Sequence, residues 1–181
     1  MSSKHVVLGV TGSVAAYKAA DILRRLSEKG FKVSVIMTKG AEHFITPLTL
    51  SSLSEGKVYS GLFDKDEKPN SMPHIDLARS ADVVLIAPAT ANIIGKMANG
   101  LADDLLSCVV LATRAKVMVA PAMNTQMYHN SIVVQNCDKL KEHDVSFIDP
   151  TDGLLACGEV GEGHLAEVDD IVAAVAKQLQ E

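Results

Sequence analysis

The sequence predicts a single-domain α/β fold in which helices cover both faces of a doubly wound parallel sheet, and three observations predict it. Its strand-like runs are continuously apolar rather than alternating, as in 82–88 (DVVLIAP), which fits strands buried on both faces. Each run is followed by a stretch with apolar residues at helical spacing, the rhythm of βαβ units. The length, 181 residues, suits one domain and would cramp two. The expected architecture is a three-layer, Rossmann-like (flavodoxin-like) sandwich formed by residues 1–181.

Residues 4–10 are a β-branched apolar run ending at Gly9-Val10-Thr11-Gly12-Ser13, after which Ala15, Ala19, Ile22, Leu23 and Leu26 recur at helical spacing until Gly30. The pattern is strand, tight turn, helix. Residues 31–38 repeat the strand, 39–45 are short and helical in character, and 47–54 (PLTLSSLS) suit a short helix before a small strand near Val58. The most polar segment, 64–73 (DKDEKPNSMP), reads as a surface loop that delivers the chain to His74. The third strand, 82–88, leads into a helical pattern over 91–113 that breaks near Gly100. A fourth strand over 116–121, a helix over 126–143 and a short fifth strand over 145–148 follow. Residues 149–163 hold four glycines and a proline without apolar periodicity and are expected to be a mobile loop. A terminal amphipathic helix spans 167–179.

Composition narrows the function classes. Lys plus Arg number 17 against 22 acidic residues, a formal charge of -5 with no basic cluster, which argues against nucleic acid and anionic membranes as partners. The longest apolar runs, such as 83–89, fall far below the roughly 18 residues of a membrane span. The N-terminus runs straight into the first strand without a leader pattern, so a cytoplasmic protein is expected. Cys108, Cys137 and Cys157 are widely spaced and form no CxxC pair, which argues against disulfides and zinc; no metal is expected. Cys108 and Cys137 fall in helical patterns and are expected to be buried, leaving Cys157 in the glycine-rich segment as the thiol without a packing reason. Aromatics are 4% with no Trp, so one copy of the chain offers little with which to stack a ring.

In doubly wound sheets ligands bind at the carboxyl ends of the strands. After the first strand, Gly12-Ser13 opens a helix and offers N–H groups and a hydroxyl to a phosphate, while Ser13 could equally be a plain helix cap. Neither GxGxxG nor GxxxxGK[ST] is present, and no acidic residue follows the second strand at Thr38, which favours a mononucleotide over a dinucleotide. After the third strand, Pro88-Ala89-Thr90-Ala91-Asn92 would let a flat ring lie on the backbone, with Asn92 a candidate cap. After the fourth, Asn124 follows Ala122 and Met123, where a carboxamide could donate to a carboxylate or cap the next helix above Tyr128.

Five segments in order carry a family resemblance: GVTGSVAAYK (9–18), His74-Ile75-Asp76-Leu77, APATANIIGKMANGLADDLL (87–106), Pro121-Ala122-Met123-Asn124 with Met127, and ACGEVGEG (156–163). Together they resemble the homo-oligomeric flavin-containing cysteine decarboxylases over nearly the whole chain, and within them the branch acting on phosphopantothenoylcysteine in coenzyme A biosynthesis. The resemblance implies FMN, held by Gly12, Ser13, Val14, Thr38, Pro88, Ala89, Thr90, Ala91, Asn92 and the backbone near Ala122. It implies that the substrate thiol is oxidised to a thioaldehyde, that carbon dioxide leaves, and that the enethiolate is re-reduced to 4'-phosphopantetheine. His74 would be the acid/base residue, imidazole titrating nearest neutral pH. Asn124 would bind the substrate carboxylate, and Cys157 would protonate the enethiolate. Leu154, Leu155 and Ala156 would contact substrate from a flexible lid at about 150–165. Trimers, or dodecamers built from trimers, are implied, with a neighbouring copy covering the flavin.

Two departures stand out: Tyr128 replaces a common Trp, and His164 stands where bacterial members often carry Arg. The alternatives are a peptidyl-cysteine oxidative decarboxylase of lantibiotic maturation, which needs no proton donor for re-reduction, and a non-enzymatic flavoprotein regulator of a phosphatase.

Overall fold

The computed structural model describes residues 3–54, 56–62, 72–154, 158 and 160–180. Parallel strands β1 (His5–Val10), β2 (Lys32–Met37), β3 (Val58–Tyr59), β4 (Val83–Ala89), β5 (Lys116–Pro121) and β6 (Ser146–Phe147) form one sheet in the order β3-β2-β1-β4-β5-β6. Without the two-residue β3 the order is that of flavodoxin-like sheets; with it, that of Rossmann sheets. The expected fold class is therefore the observed one. Strand order reverses between β1 and β4, both buried along their whole length, so the crevice beyond their carboxyl ends is the topological switch point.

Side chains of alternate strand residues enter opposite cores. On one face, Val6, Leu8 and Val10 of β1 and Val83, Leu85 and Ala87 of β4 pack under α1 (Ala19–Glu28), α2 (Pro47–Leu53) and α8 (Val168–Gln178). On the other, Val7, Val84 and Ile86 meet α3 (Pro73–Ser80), α4 (Ala91–Ala98), α5 (Leu105–Ala112) and α7 (Ser131–Glu142). Each fully buried Leu or Ile in these layers contributes roughly 1.5–3 kcal/mol. Helix α5 packs tightly on the sheet at Gly9, where a Cβ would lie 2.6 Å from Leu106 Cδ1.

Local chemistry sets the helix ends. Thr90 caps α4 and Asp104 caps α5 in a reciprocal box with Ser107. The break expected near Gly100 lies between them, with Gly100 at φ +67°, a conformation most side chains avoid.

Several expectations change. The helix expected over 126–143 is two, α6 (Thr125–Tyr128) and α7, because the Asn130 side chain accepts the Ile132 N–H (3.0 Å) and starts a second helix. The surface loop expected over 64–73 lies outside the described residues up to 71, and its last residue, Pro73, opens helix α3, whose two turns are too short to display a period. The helix after β1 begins as a 3-10 turn over Val14–Lys18, and 39–45 contains only the 3-10 turn Ala41–His43. Finally, 149–163 includes an antiparallel hairpin, β7 (Thr151–Leu154) with β8 (Val160–His164), which its glycines disguise.

Cys137 is buried as expected, but Cys108 is only partly so, its thiol 3.5 Å from the Ala102 carbonyl. Among the described residues no helix is long and apolar enough to cross a membrane, and no cluster of His, Cys, Asp and Glu could hold a metal ion.

Candidate functional site

A cavity of about 720 Å³ opens at the carboxyl ends of β1, β2 and β4, within the rough range of 300–1,000 Å³ usual for small-molecule sites. Its wall begins with two glycines pressed together. A Cβ on Gly12 would sit 3.0 Å from the Gly40 carbonyl carbon and Cα, so the turns after β1 and β2 touch backbone to backbone. The Thr38 N–H donates to the Val10 carbonyl (3.0 Å), which fixes this pair of turns.

Thr11 fastens the next pair. Its buried hydroxyl donates to the Pro88 carbonyl (2.7 Å) and accepts from the Thr90 N–H (3.0 Å), tying the ends of β1 and β4 across the switch point. Thr90 in turn caps α4, whose first residues, Ala91 and Asn92, form the facing wall with Ile93. Ser60, Gly61 and Leu62 close the β3 side, and Met127 of α6 reaches in from beyond β5.

Four charged residues belong to the wall: the exposed Lys39 and the group formed by Lys96, Asp103 and Asp104. Lys96, only 16% exposed, pairs with Asp103 (2.6 Å) and Asp104 (2.7 Å). Desolvation, the largest single influence, pushes the ammonium towards deprotonation, but hydrogen bonds and charge from the two carboxylates outweigh it and raise the Lys96 pKa. For Asp104 burial opposes ionisation, yet Lys96 and the Ser107 N–H and hydroxyl prevail and lower its pKa. Lys96 therefore meets the cavity as the centre of a cluster with two carboxylates rather than as a bare cation.

Beside the cavity, Asn124 caps α6 by accepting the Gln126 N–H (2.8 Å), which turns the carboxamide oxygen toward the helix; donation to a ligand would come from its NH2 group. The Met123 N–H donates to the Gly163 carbonyl (3.0 Å), joining this turn to β8, and His129 pairs with Glu162 at the exposed edge (3.2 Å). Burial first, then Asp149, Glu162 and Cys137, push the Tyr128 phenol up to about 12, so it stays neutral.

Of the residues expected from sequence, Gly12, Thr38, Thr90, Ala91 and Asn92 line the cavity together. Ser13, Val14, Pro88, Ala89, Ala122, Asn124 and His74 do not line it in a single copy. Ser13 is the cap of the 3-10 turn, accepting the Ala15 N–H (3.3 Å); Val14 is half exposed; Pro88 and Ala89 are buried behind the wall. The Ala122 N–H is engaged with the Ala89 carbonyl (3.0 Å). The cap of α4 is Thr90, not Asn92. His74 is the second residue of α3 and partly buried. Leu154 ends β7, while Leu155, Ala156 and Cys157 lie outside the described residues. Sequence reasoning passed over Thr11, Lys96, Asp103 and Asp104; the Asp104-x-x-Ser107 spacing before an apolar run was the available signal for the last.

The sequence and the fold are shared with known proteins. The Flavoprotein family model matches residues 1–180. The chain is 44% identical over its full length to the coenzyme A biosynthesis bifunctional protein CoaBC of Bacillus subtilis, of which it spans 44%, so it covers less than half of that relative. It is 45% identical to the probable phosphopantothenoylcysteine decarboxylase of Streptococcus mutans, over 98% of this chain and 99% of that one. Among solved structures, a cysteine-to-serine mutant of PPC decarboxylase complexed with pantothenoylaminoethenethiol superposes with TM-score 0.89 at 34% identity, covering 99% and 100% of the two chains. The FMN binding protein AtHal3 does so with TM-score 0.83 at 35% identity, covering 97% and 96%. A sheet whose switch point opens on a cavity with paired glycines in its wall, matched from end to end in sequence and in space, places this chain in the flavoprotein family.

Proposed function

We propose that the protein is an FMN-dependent decarboxylase that converts 4'-phosphopantothenoyl-L-cysteine to 4'-phosphopantetheine in coenzyme A biosynthesis. The observation that carries this reading is the cradle at the switch point. Gly12 and Gly40 leave no side chains between the strand-end turns, Thr38 and Thr90 flank them with hydroxyls, and Ala91 and Asn92 offer a flat wall. Such a site fits a mononucleotide, its phosphate on the backbone N–H groups and its ring on the small residues. The full-length likeness to a named decarboxylase supports the substrate.

FMN, when bound, supplies a two-electron oxidation of the substrate thiol and the return of those electrons. The chain's own residues do the rest. Asn124, fixed by its cap, would hold the substrate carboxylate through a neutral N–H donor, orienting it without the stabilisation that a cation would give the ground state. His74 would move the proton of the oxidative half. Cys157 would deliver the final proton on carbon, with Leu154, Leu155 and Ala156 contacting the substrate; the β7–β8 hairpin, whose strands flank Cys157 in sequence, is joined to the Asn124 turn.

His74 and Asn124 do not line the cavity in one copy, and Tyr17 (60%), Leu48 (74%) and Ile132 (67%) are exposed apolar side chains; both facts support a homotrimer, alone or within a dodecamer, that completes the site. A cytoplasmic location is part of the same reading.

The test is to purify the protein, record its flavin spectrum and assay carbon dioxide release and product mass. Yellow protein yielding phosphopantetheine is expected, and Cys157→Ser should accumulate the unsaturated enethiol. Colourless protein that FMN cannot reconstitute, or saturated product formed at the wild-type rate by Cys157→Ser, would overturn the respective assignments.

A further inference from the structure

The seating of the β7–β8 hairpin rests on an unusual contact. Thr125 opens α6 directly after Asn124, and its hydroxyl is buried with no hydrogen-bond partner among the described residues. Burying an unpartnered hydroxyl is unfavourable, so something else must hold it there. What covers it is Gly161 of β8: a Cβ on Gly161 would lie 2.6 Å from Thr125 Oγ1, 3.2 Å from Cγ2 and 3.4 Å from Cβ. One residue along, Gly163 has φ +131° and a Cβ there would lie 2.3 Å from the Met123 carbonyl oxygen, while its own carbonyl accepts the Met123 N–H. Two glycines, two residues apart on one face of β8, thus form a notch into which the Met123–Thr125 turn fits, backbone against backbone.

We propose that Gly161 and Thr125 are positioning residues: the glycine notch receives the threonine and sets where the hairpin rests relative to Asn124. The inference rests on the decarboxylase reading for its functional half, because the connection between β7 and β8 carries Cys157 and the seated turn carries Asn124. One contact thereby joins the strands that flank the proton donor in sequence to the turn that carries the carboxylate binder. A hydroxyl tolerated without a partner, in a notch with no room for a methyl group, marks a site held by shape.

The geometry dictates the effect of filling the notch. Two of the staggered positions around Thr125 χ1 face Gly161, and Thr has only one hydrogen on Cβ, so every rotamer keeps a heavy atom in at least one of them. The hairpin in Gly161→Ala must therefore shift. In Thr125→Ala/Gly161→Ala the crowding atoms are gone, leaving only the 3.4 Å contact, an ordinary van der Waals distance. Gly163→Ala meets backbone, so no trimming of a side chain restores it.

The experiment uses the flavin-loaded full chain and reads two things. One is hydrogen exchange at the Met123 amide, whose bond crosses the seat and needs no substrate. The other is kcat and KM, with the ratio of enethiol to saturated product. Gly161→Ala should speed Met123 exchange about tenfold by loosening the seat. It should also raise the enethiol fraction and lower kcat more than it raises KM. The double variant should return all of these to near wild type, and Gly163→Ala should not be rescued by Thr125→Ala. Unchanged Met123 exchange in Gly161→Ala, or failure of the double variant to restore it, overturns the seat. Faster exchange with unchanged kcat and product ratio overturns the positioning role. The predicted exchange pattern in a protein with no decarboxylase activity upholds the seat and overturns the substrate reading instead.

Discussion

Adding one methyl group at Gly12 tests the cradle directly. In Gly12→Ala the new Cβ would stand 3.0 Å from both the carbonyl carbon and Cα of Gly40 and 3.1 Å from its oxygen, all backbone atoms that cannot rotate aside. The turn after β2 cannot simply retreat, because the Thr38 N–H and the Val10 carbonyl hold it at 3.0 Å. Overpacking of this kind costs about 1–3 kcal/mol. Relief comes from parting the two turns, which displaces the surface that would bind the flavin phosphate, so much of the cost should appear in binding. That corresponds to roughly 5- to 150-fold weaker FMN affinity, at about 1.4 kcal/mol per tenfold. Gly40→Ala makes a built-in comparison: its Cβ would lie 3.2 Å from Gly12 Cα and 3.5 Å from its N, so its effect should be smaller. Titration of apoprotein with FMN, followed by flavin fluorescence, measures both. Gly12→Ala binding FMN within about twofold of wild type, or Gly40→Ala being the worse of the two, would refute the reasoning.

Other outcomes follow from the packing and charges. Leu106→Ala removes a fully buried side chain that fills the hollow above Gly9 and should destabilise by about 2–5 kcal/mol in urea unfolding; a loss under about 1 kcal/mol would contradict the tight α5–β1 contact. Asp104→Ala deletes both a helix cap and a Lys96 partner and should cost about 1–3 kcal/mol, whereas Asp103→Ala, at an exposed carboxylate, should cost less than about 1 kcal/mol; equal losses would mean that the cap contributes nothing. Buried His5 bonds Ser80 O (3.1 Å) through Nδ1 and Ser34 Oγ (2.9 Å) through Nε2, an arrangement met by the neutral ring, and burial lowers its pKa below the ordinary 6.5 despite Asp82. A base with a lowered folded pKa binds fewer protons folded than unfolded, so its contribution is complete above pH 6.5 and is lost as pH falls through the folded value. Melting temperature should therefore decline more steeply below pH 6.5 in wild type than in His5→Asn, and identical slopes would remove His5 as the cause.

How much of this was legible in the sequence varied with the range of the contacts involved. The four long apolar runs announced a parallel sheet because strands covered on both faces have no polar side to show. The strand-end residues Gly12, Thr38 and Thr90 to Asn92 were legible because doubly wound topology says where to look. Helix α3 was not, since two turns give no period. The β7–β8 hairpin was not, because glycines chosen for close approach to Met123 and Thr125 erase the alternation that marks a strand. Thr11 joins the site through Pro88, distant in sequence, and Lys96 through Asp103 and Asp104 across the bend between α4 and α5, and no apolar period reports either partner.

The pairing of β1 with β4 also bears on how the chain is made. Val6 lies in register with Val83, 77 residues later, while its other neighbour, Val33, is much nearer. During synthesis β1 and β2 can associate early, but the inner edge of β1 must wait, open, until β4 has left the ribosome. That wait is a window for misassociation, as an unpaired apolar strand edge invites any other strand. The loop that must close before β1 and β4 meet makes this a fold dominated by distant contacts, for which slow refolding is expected. The hairpin, whose strands Thr151–Leu154 and Val160–His164 are neighbours in sequence, is free of that constraint and can form as soon as it is translated.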